Sequence, residues 1–325
     1  MTDAATVRSH LVAGGAGFLG SHLTDVLIAR GDRVTIVDNF VTGRRRNIAH
    51  LVDDPSVAVI VHDITEALPR SIVDDSYDSV INFASPASPD DFRTIPLEIL
   101  AVGSTGTRNL LDLAVNQQAR FFLASTSEVY GDPLVHPQPE TYLGNVSSIG
   151  PRSCYDESKR FSEALTMAYH RVHGLDVRIA RIFNTYGERM RPDDGRVVNT
   201  FVVQALRGEP LTLHGDGSQT RSFCHVSDEV RGLVNVLDGE ITGPVNIGNP
   251  AEFTMRQLAE LVVELTATRS PIISIPLPAE RAGDPLQRKP DIALAAASYG
   301  WEPEVSLRNG VARMIAFFRD HEDVA

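Results

Sequence analysis

The stretch Val12-Ala13-Gly14-Gly15-Ala16-Gly17-Phe18-Leu19-Gly20 decides the fold. It continues the apolar run His10–Ala13, which predicts a strand, and it opens a helical pattern from Phe18 to Arg30. Its glycines at positions 15, 17 and 20 match the pattern G-x-G-x-x-G, in which they permit a tight turn and let the backbone approach a pyrophosphate. The N-terminus of a helix offers N–H groups to phosphates. The stretch therefore predicts a dinucleotide-binding loop between a strand and a helix.

Asp38 is the acidic partner expected for such a loop. It ends a second predicted strand, Val34–Val37, at the spacing of roughly 20 residues after the loop at which a carboxylate accepts hydrogen bonds from the adenosine ribose. This carboxylate would repel a 2′-phosphate and favours NAD over NADP. Arg44–Arg46 favours the opposite choice, because arginine pairs with phosphate. Since three successive arginines are typical of a solvated face, we expect NAD.

The first half of the chain alternates short β-branched runs with longer helical patterns. Further strands are predicted at Val57–Val61, Val80–Phe83, Phe121–Ala124 and Val177–Ile182, with helices over 97–113 and Ser153–His173. Such alternation produces right-handed βαβ units and a parallel sheet covered on both faces. We therefore expect an α/β fold with a doubly wound parallel sheet, the Rossmann arrangement.

The pattern changes beyond Ile182, where Pro and Gly become frequent. Shorter helices are predicted at Asn199–Leu206, Ser227–Leu237, Met255–Thr266 and Leu307–Phe318. We predict an NAD-binding Rossmann domain over residues 1–180 and a smaller, less regular α+β substrate domain over residues 181–325. A strand at Val245–Ile247 is expected to return to the main sheet.

Composition excludes several classes of protein. The 325 residues carry 30 Lys and Arg against 42 Asp and Glu, a net charge of −12, and 42% are hydrophobic. This balance is globular, and its acidity disfavours nucleic acid as a partner. Cys154 and Cys224 lie too far apart for a metal or CxxC motif, which predicts free thiols and a cytoplasmic protein. The sequence predicts neither a signal peptide nor a membrane span, and we assign no metal site; His22 and His62 are interpreted as packing or loop residues.

Tyr155 and Lys159 form the second chemical motif. Four positions apart on a predicted helix, they lie on one face, and a nearby ammonium should lower the pKa of the phenol. A tyrosine with a lowered pKa is a usable proton acceptor. Ahead of it, the segment 124–128, ASTSE, follows a predicted strand at the sheet edge where open α/β proteins bind ligands. Its hydroxyls could hold a sugar hydroxyl or ketone, and Glu128 could be an acid, a base or a positioning group.

Together these residues resemble the extended short-chain dehydrogenase/reductase superfamily, and within it the UDP-glucuronate decarboxylases, also called UDP-xylose synthases. The stretches that carry the resemblance are GGAGFLGSHL (14–23), TGRRRNI (42–48), FASPASP (83–89), ASTSEVYGDP (124–133), IGPRSCYDESK (149–159), RIFNTYGERM (181–190), DGRVV (194–198), GDGSQTRSF (215–223), VNIGNP (245–250) and QRKPDI (287–292). Related 4,6-dehydratases carry Asp-Glu after the catalytic Thr, and 4-epimerases lack the Glu. Here the pair is Ser127-Glu128, which favours the decarboxylases.

The resemblance implies a reaction without net redox change. Tyr155, assisted by Lys159 and Thr126, would take the proton of the sugar 4-hydroxyl while hydride passes to NAD. The resulting β-keto acid would lose carbon dioxide to leave an enolate. Protonation at carbon 5 and hydride return would then give UDP-xylose. In this scheme Glu128 positions the sugar and handles protons, and Arg288 orients the substrate carboxylate.

The resemblance also assigns binding residues. Cofactor contacts are expected from Gly14, Gly17, Phe18, Leu19, Gly20, Asp38, Asn39, Gly43, Asp63, Ile64, Ala84, Tyr155 and Lys159. Nucleotide-sugar contacts in the domain over 181–325 and its neighbours are expected from Ser88, Glu128, Asn184, Arg196, Arg221 and Arg288. A homodimer through the helices over 97–113 and 153–173 is implied as well.

Four positions depart from the family pattern, namely Ala13, Gly103, Leu143 and His214. They leave the nucleobase and sugar contacts open. Two other functions also remain open: a nucleotide-sugar 4-epimerase or 4,6-dehydratase on the same scaffold, and a non-catalytic NAD-sensing protein. The intact Thr126, Tyr155 and Lys159 disfavour the sensor.

Overall fold

The computed structural model describes residues 7–276 and 287–321. Its strands are β1 (Ser9–Ala13), β2 (Arg33–Asp38), β3 (Val57–Val61), β4 (Ser79–Asn82), β5 (Arg120–Thr126), β6 (Val177–Ile182), β7 (Thr185–Tyr186), β8 (Leu211–His214), β9 (Thr220–Ser222), β10 (Cys224–His225), β11 (Pro244–Ile247), β12 (Glu252–Thr254) and β13 (Ile272–Ile275). The six strands predicted in the first half and the returning strand are all present, within one or two residues of their predicted ends.

The helices are α1 (Phe18–Ala29), α2 (Arg70–Val73), α3 (Pro89–Thr94), α4 (Pro96–Ala101), α5 (Thr107–Gln117), α6 (Ser153–His173), α7 (Val197–Arg207), α8 (Val226–Asp238), α9 (Met255–Thr266), α10 (Ala293–Tyr299) and α11 (Leu307–His321). Short 3₁₀ helices add Arg45–Leu51 and Ser127–Tyr130. Within the described ranges, none of the helices combines the length and apolar character needed to cross a membrane.

A seven-stranded parallel sheet forms the centre, in the order β11-β6-β5-β4-β1-β2-β3. The predicted doubly wound α/β fold is confirmed. The strand order reverses between β1 and β4, so the glycine loop after β1 lies beside the end of β4. Open α/β sheets bind ligands at this point of their carboxyl edge. The strand ends at Ala13, Asp38 and Thr126 therefore face one common region.

The helix predicted over 97–113 is interrupted. A π-helical turn at Val102–Gly106 separates α4 from α5. At this turn a Cβ on Gly103 would lie 2.7 Å from the Cβ of Ser158 on α6, so α6 packs directly against the glycine backbone. Ser162 of α6 also donates to the carbonyl of Gly103 at 2.7 Å. Apolar periodicity cannot indicate such a turn, because the turn follows from contacts between helices.

A second core lies beyond the carboxyl edge of the sheet. Helices α7, α9 and α11 enclose it around Phe201, Leu258, Met314 and Phe318. Other parts of the second half pack on the main sheet instead: β11 pairs with β6, and α8 and Trp301 join the core beneath it. The division at residues 180 and 181 stays a prediction.

Candidate active site

The glycine loop closes tightly over the end of β4. Gly14 has a φ of +78°, which favours glycine, and a Cβ there would lie 2.7 Å from the backbone nitrogen of Ala84. Gly17 is the N-cap residue of α1, so no side chain stands before the first helical turn. Its backbone and those of Phe18, Leu19 and Gly20 line the cavity directly. This arrangement leaves the positive end of α1 facing the cavity.

Asp38 is held rigidly at the end of β2. One carboxylate oxygen accepts from the backbone nitrogen of Ala16 at 3.0 Å and the other from that of Phe40 at 2.8 Å. A Cβ at Gly43 would lie 2.5 Å from this carboxylate, so glycine is required for the approach. Burial raises the pKa of Asp38, although the two backbone hydrogen bonds oppose it. Asn39, the next residue, donates to Asp63 at 2.9 Å.

The arginine run turns away from this carboxylate. The Arg45 guanidinium stacks over the Phe40 ring, with its central carbon 4.3 Å from the ring centroid. Arg46 donates to the carbonyl of His321 at 2.9 Å. In the described part of the chain, none of the residues Arg44–Arg46 lines the cavity. Arg45 and Arg46 are exposed, as a solvated face requires, whereas Arg44 is half-buried near Arg191 and Asp193.

Two adjoining cavities bring the predicted site residues together. The first is lined by every residue predicted to contact the cofactor, namely Gly14, Gly17, Phe18, Leu19, Gly20, Asp38, Asn39, Gly43, Asp63, Ile64, Ala84, Tyr155 and Lys159, and also by Ser88 and Thr126. The second, between the sheet edge and the core around Phe201, is lined by Arg221 and Arg288. Glu128, Asn184 and Arg196 line both cavities. The predicted chemistry therefore lies where the two cavities meet.

Tyr155 lies at the bottom of this junction. It is 6% exposed, stacks on Phe92 with 4.8 Å between ring centroids, and hydrogen-bonds to Thr126. Lys159 lies one helical turn later, with its Nζ 5.8 Å from the Tyr155 ring centroid, and donates to the carbonyl of Ala124 at 2.8 Å. The three residues predicted to relay a proton are thus in contact or one turn apart.

The predicted direction of the Tyr155 pKa is wrong. Burial raises the pKa of Tyr155 to about 12, and this outweighs the opposing effects of the Thr126 hydrogen bond and of the Arg196 charge. Burial also lowers the pKa of Lys159 to about 8, against the opposing charge of Glu163. Sequence spacing showed the approach of ammonium and phenol, but it could not show how completely both groups are removed from water.

Glu128 is ionised and held by two arginines. Arg288 contacts both of its carboxylate oxygens, and Arg152 lies 2.7 Å from Oε2. Burial alone would raise the pKa of Glu128, yet these two guanidinium groups hold it down to about 2. Burial, followed by the Glu128 charge, raises the pKa of the neighbouring Asp156 to about 7. A carboxylate bound in this way is a positioning group, since it does not release or take up protons near neutral pH.

Of the remaining predicted substrate residues, Asn184, Arg196 and Arg221 line the second cavity and Ser88 lines the first. Arg196 pairs with Asp194, whose carbonyl accepts from Ser88. Asn184 donates to the carbonyl of Ser222 at 3.4 Å. Arg221 donates to the carbonyl of Thr220 at 2.8 Å. These contacts hold the polar groups at the wall of the cavity.

Arg152 is the site residue that the sequence analysis missed. It precedes α6 and looks like an ordinary helix-flanking charge. Its place three residues before Tyr155, within the stretch IGPRSCYDESK (149–159), is the signal that could have found it. Cys154 and Cys224, both described and buried, are free thiols. Among residues 7–276 and 287–321, no group of three or more His, Cys, Asp or Glu could hold a metal ion.

Comparison with known proteins agrees with this geometry. The profile of the family described as GDP-mannose 4,6 dehydratase matches residues 11–314. UDP-glucuronic acid decarboxylase 1 of Arabidopsis thaliana is 52% identical over 310 residues, which cover 95% of this chain and 69% of that protein. UDP-glucuronic acid decarboxylase 1 of Danio rerio is 50% identical over 95% of this chain and 72% of its own length.

A solved structure shares the fold of this chain at lower sequence identity. UDP-glucuronic acid 4-epimerase from Bacillus cereus, in complex with UDP-glucuronic acid and NAD, superimposes with a TM-score of 0.86 at 27% identity, covering 96% of this chain and 99% of that one. The sequence identities, the family profile and the shared fold agree along nearly the whole chain. The chain therefore belongs to the GDP-mannose 4,6 dehydratase family and, within it, to the UDP-glucuronic acid decarboxylases.

Proposed function

We propose that this protein converts UDP-glucuronate to UDP-xylose and carbon dioxide, with NAD retained and regenerated in each cycle. The observation that carries the proposal is the junction of the two cavities. There a Thr126–Tyr155–Lys159 group adjoins a Glu128 carboxylate bound by Arg288 and Arg152. The high identity to UDP-glucuronic acid decarboxylases supports the same reaction.

The first cavity fits NAD. The backbone of Gly17, without a side chain, leaves the positive end of α1 open to a pyrophosphate, and Asp38 offers its carboxylate to a ribose. Gly43 and Asn47 line this cavity but Arg44–Arg46 between them do not, which supports NAD over NADP. Held by these residues, NAD would supply a reversible hydride acceptor for carbon 4 of the sugar.

Tyr155 exchanges a proton with the sugar 4-hydroxyl. With a pKa of about 12 its phenol is protonated at neutral pH, so its deprotonation needs positive charge close to the ring. Lys159 and Arg196 supply such charge from the protein. Thr126 hydrogen-bonds to the phenol and fixes its direction. Once the ketone forms, Tyr155 donates a hydrogen bond to the oxygen on which negative charge develops as carbon dioxide leaves.

Glu128, Arg288 and Arg152 bind the part of the sugar that carries the carboxylate. Arg288 is a bidentate donor of the kind suited to carboxylates. In this proposal it orients the uronate carboxylate, and Glu128 holds the guanidinium in place and positions the sugar. Carbon dioxide leaves as a neutral molecule, so the site needs no acid to expel it.

Epimerisation and dehydration use the same first oxidation. A 4,6-dehydratase must expel a hydroxyl from carbon 6, which requires an acid near Thr126. Position 127 is a serine, and Glu128 with a pKa of about 2 is ionised, so neither group supplies that acid. Incubation of the purified protein with UDP-glucuronate, followed by mass spectrometry, tests the proposal. We expect loss of carbon dioxide. A dehydratase would leave UDP-glucuronate unchanged and remove water from UDP-glucose in a parallel incubation, and an epimerase would give an isomer of unchanged mass that chromatography separates from the substrate.

Three further statements belong to this proposal. We infer a division of labour between residues 1–180, which bind NAD, and residues 181–325, which bind the nucleotide sugar. We also infer a homodimer through α4 and α6, supported by exposed apolar side chains there, namely Leu97, Leu100, Phe161 and Val172. A cytoplasmic location stays a prediction from the cysteine pattern.

A further inference from the structure

Arg288 reaches Glu128 from a distant part of the chain. It lies on the segment 287–291, here called the Arg288 segment, and 160 positions separate the two partners. Its side chain is 4% exposed. Because this segment is neither helix nor strand, the position of the guanidinium depends on what holds the segment's backbone.

Gln138 makes three hydrogen bonds to this segment, beside the one that Ser222 donates to the Arg288 carbonyl at 3.3 Å. Its backbone nitrogen donates to the carbonyl of Lys289 at 2.9 Å, and its side-chain Oε1 accepts from the backbone nitrogen of Lys289 at 2.9 Å. Its carbonyl accepts from the backbone nitrogen of Asp291 at 3.0 Å. Gln138 therefore binds both the backbone nitrogen and the carbonyl of Lys289, the first through its side chain and the second through its own backbone nitrogen. Gln138 itself is fully buried.

Gln138 is anchored in turn to the central sheet. Its Nε2 donates to the carbonyl of Val135 at 2.6 Å, which orients the amide. Asn246 of β11 donates to the Gln138 carbonyl at 3.0 Å and accepts from the Tyr130 hydroxyl at 2.8 Å. The support of the Arg288 segment thus runs through buried hydrogen bonds to a strand of the seven-stranded sheet.

We propose that Gln138 is a positioning residue for the decarboxylation, acting through Arg288. By fixing the backbone at Lys289, it holds the Arg288 guanidinium in bidentate contact with Glu128 and aimed at the substrate carboxylate. This inference rests on the proposed function. A group that acts only through Arg288 should matter only while Arg288 is present, and this distinguishes it from general structural support.

The test is Gln138→Met, which keeps the length and burial of the side chain and the backbone hydrogen bonds but removes the two side-chain bonds, to the Lys289 nitrogen and to the Val135 carbonyl. We expect kcat for carbon dioxide release to fall roughly ten- to a hundredfold, the loss typical of a misplaced reacting group. The affinities for NAD and for UDP should change less than about twofold, because the Arg288 segment touches neither the glycine loop nor Asp38. Gln138→Glu, which retains an acceptor for the Lys289 nitrogen, should recover part of the lost kcat.

The same substitution in an Arg288→Ala background shows whether Gln138 acts through Arg288. We expect Gln138→Met to lower the residual activity there by less than about threefold; an equal loss in both backgrounds would refute action through Arg288. Gln117→Met is the matched control, because Gln117 makes the same kind of bonds, to the nitrogen of Tyr77 and the carbonyl of Asp75, at the opposite edge of the sheet. If Gln138→Met does not fold, Gln138→Glu is compared in the same two backgrounds: a larger fold-loss of kcat with Arg288 present than in Arg288→Ala supports the proposal, and an equal loss in both refutes it. An inactive wild type would instead count against the proposed function.

Discussion

At the scale of single residues, the chemistry depends on how burial and charge compete. Tyr155 and Lys159 are both buried and move away from their charged forms, whereas Glu128 is buried and stays ionised. The difference lies in the partners, since two guanidinium groups surround Glu128 and the Lys159 ammonium is bound by a carbonyl. The site therefore combines a fixed negative charge with a proton relay sensitive to its surroundings.

Glu128→Ala should remove the activity while leaving the cofactor site intact. Without the carboxylate, Arg288 and Arg152 lose their shared partner and can no longer be held toward the sugar. We expect decarboxylation to fall roughly a hundredfold, the loss that misplacement of the reacting groups causes. NAD affinity, measured by calorimetry, should stay the same. Glu98→Ala, at an exposed carboxylate lining the same cavity, is the control; unchanged turnover in Glu128→Ala would remove Glu128 from the mechanism.

The pKa of Lys159 predicts how kcat/KM changes at high pH. Its folded pKa of about 8 lies below the usual value for lysine, so the ammonium is present below that pH and is lost above it. Because this charge favours deprotonation of Tyr155, kcat/KM should decline as the pH rises through about 8. Lys159→Arg keeps its charge and should move the decline to higher pH. A decline at the same pH in both proteins would show that another group titrates.

Sequence reasoning located the relay but not its electrostatics. The spacing of Tyr155 and Lys159 is a local property, and the structure brings the two together as predicted. The pairing of Glu128 with Arg152 and Arg288 is a tertiary property, and the place of Arg152 just before Tyr155 does not show that its guanidinium reaches Glu128. Only the resemblance pointed to Arg288.

At the scale of elements, the π-helical turn between α4 and α5 determines how closely α6 approaches the cofactor cavity. Ala101 and Val102, just before and within the turn, line that cavity. Gly103 lets α6 pack onto the turn, and the same helix carries Tyr155 and Lys159. A change at Gly103 should therefore reach both stability and the relay.

Gly103→Ala should destabilise the protein although alanine favours helices. The new methyl would lie 2.7 Å from the Ser158 Cβ, and overpacking of this kind costs about 1–3 kcal/mol. Urea denaturation measures the loss. Ser158→Gly removes the opposing Cβ, so the double variant should lose less stability than the two single losses added together. Additive losses would show that this contact does not limit the packing.

The strands and helices were largely predictable, because hydrophobic periodicity reports burial directly. Helix α6 and strand β6 have their predicted limits. The interrupted helix over 97–113 was not predictable, since its cause is the neighbouring α6. The loop that carries Gln138 and the segment that carries Arg288 gave no pattern, because backbone hydrogen bonds between irregular segments leave no periodic signal.

At the scale of the whole molecule, the exposed apolar side chains of α4 and α6 predict association. Leu97 is 75% exposed, Phe161 50% and Val172 75%, on two helices that pack side by side. A second copy covering them would bury these side chains, so sedimentation equilibrium should report a dimer. Phe161→Glu should shift it toward monomer, whereas Val52→Glu, at an exposed valine after the 3₁₀ helix Arg45–Leu51, should leave it unchanged. A monomeric wild type would contradict the inferred interface.

The most direct test of the central claim follows the hydrogen on carbon 4 of the sugar. The protein, with no NAD added, is incubated with UDP-glucuronate deuterated at that carbon, and the UDP-xylose formed is examined by mass spectrometry and NMR. Because hydride leaves and returns within one site, the product should keep its deuterium at carbon 4 and gain a solvent proton at carbon 5. Loss of the deuterium to water, or the absence of any decarboxylated product, would contradict the account.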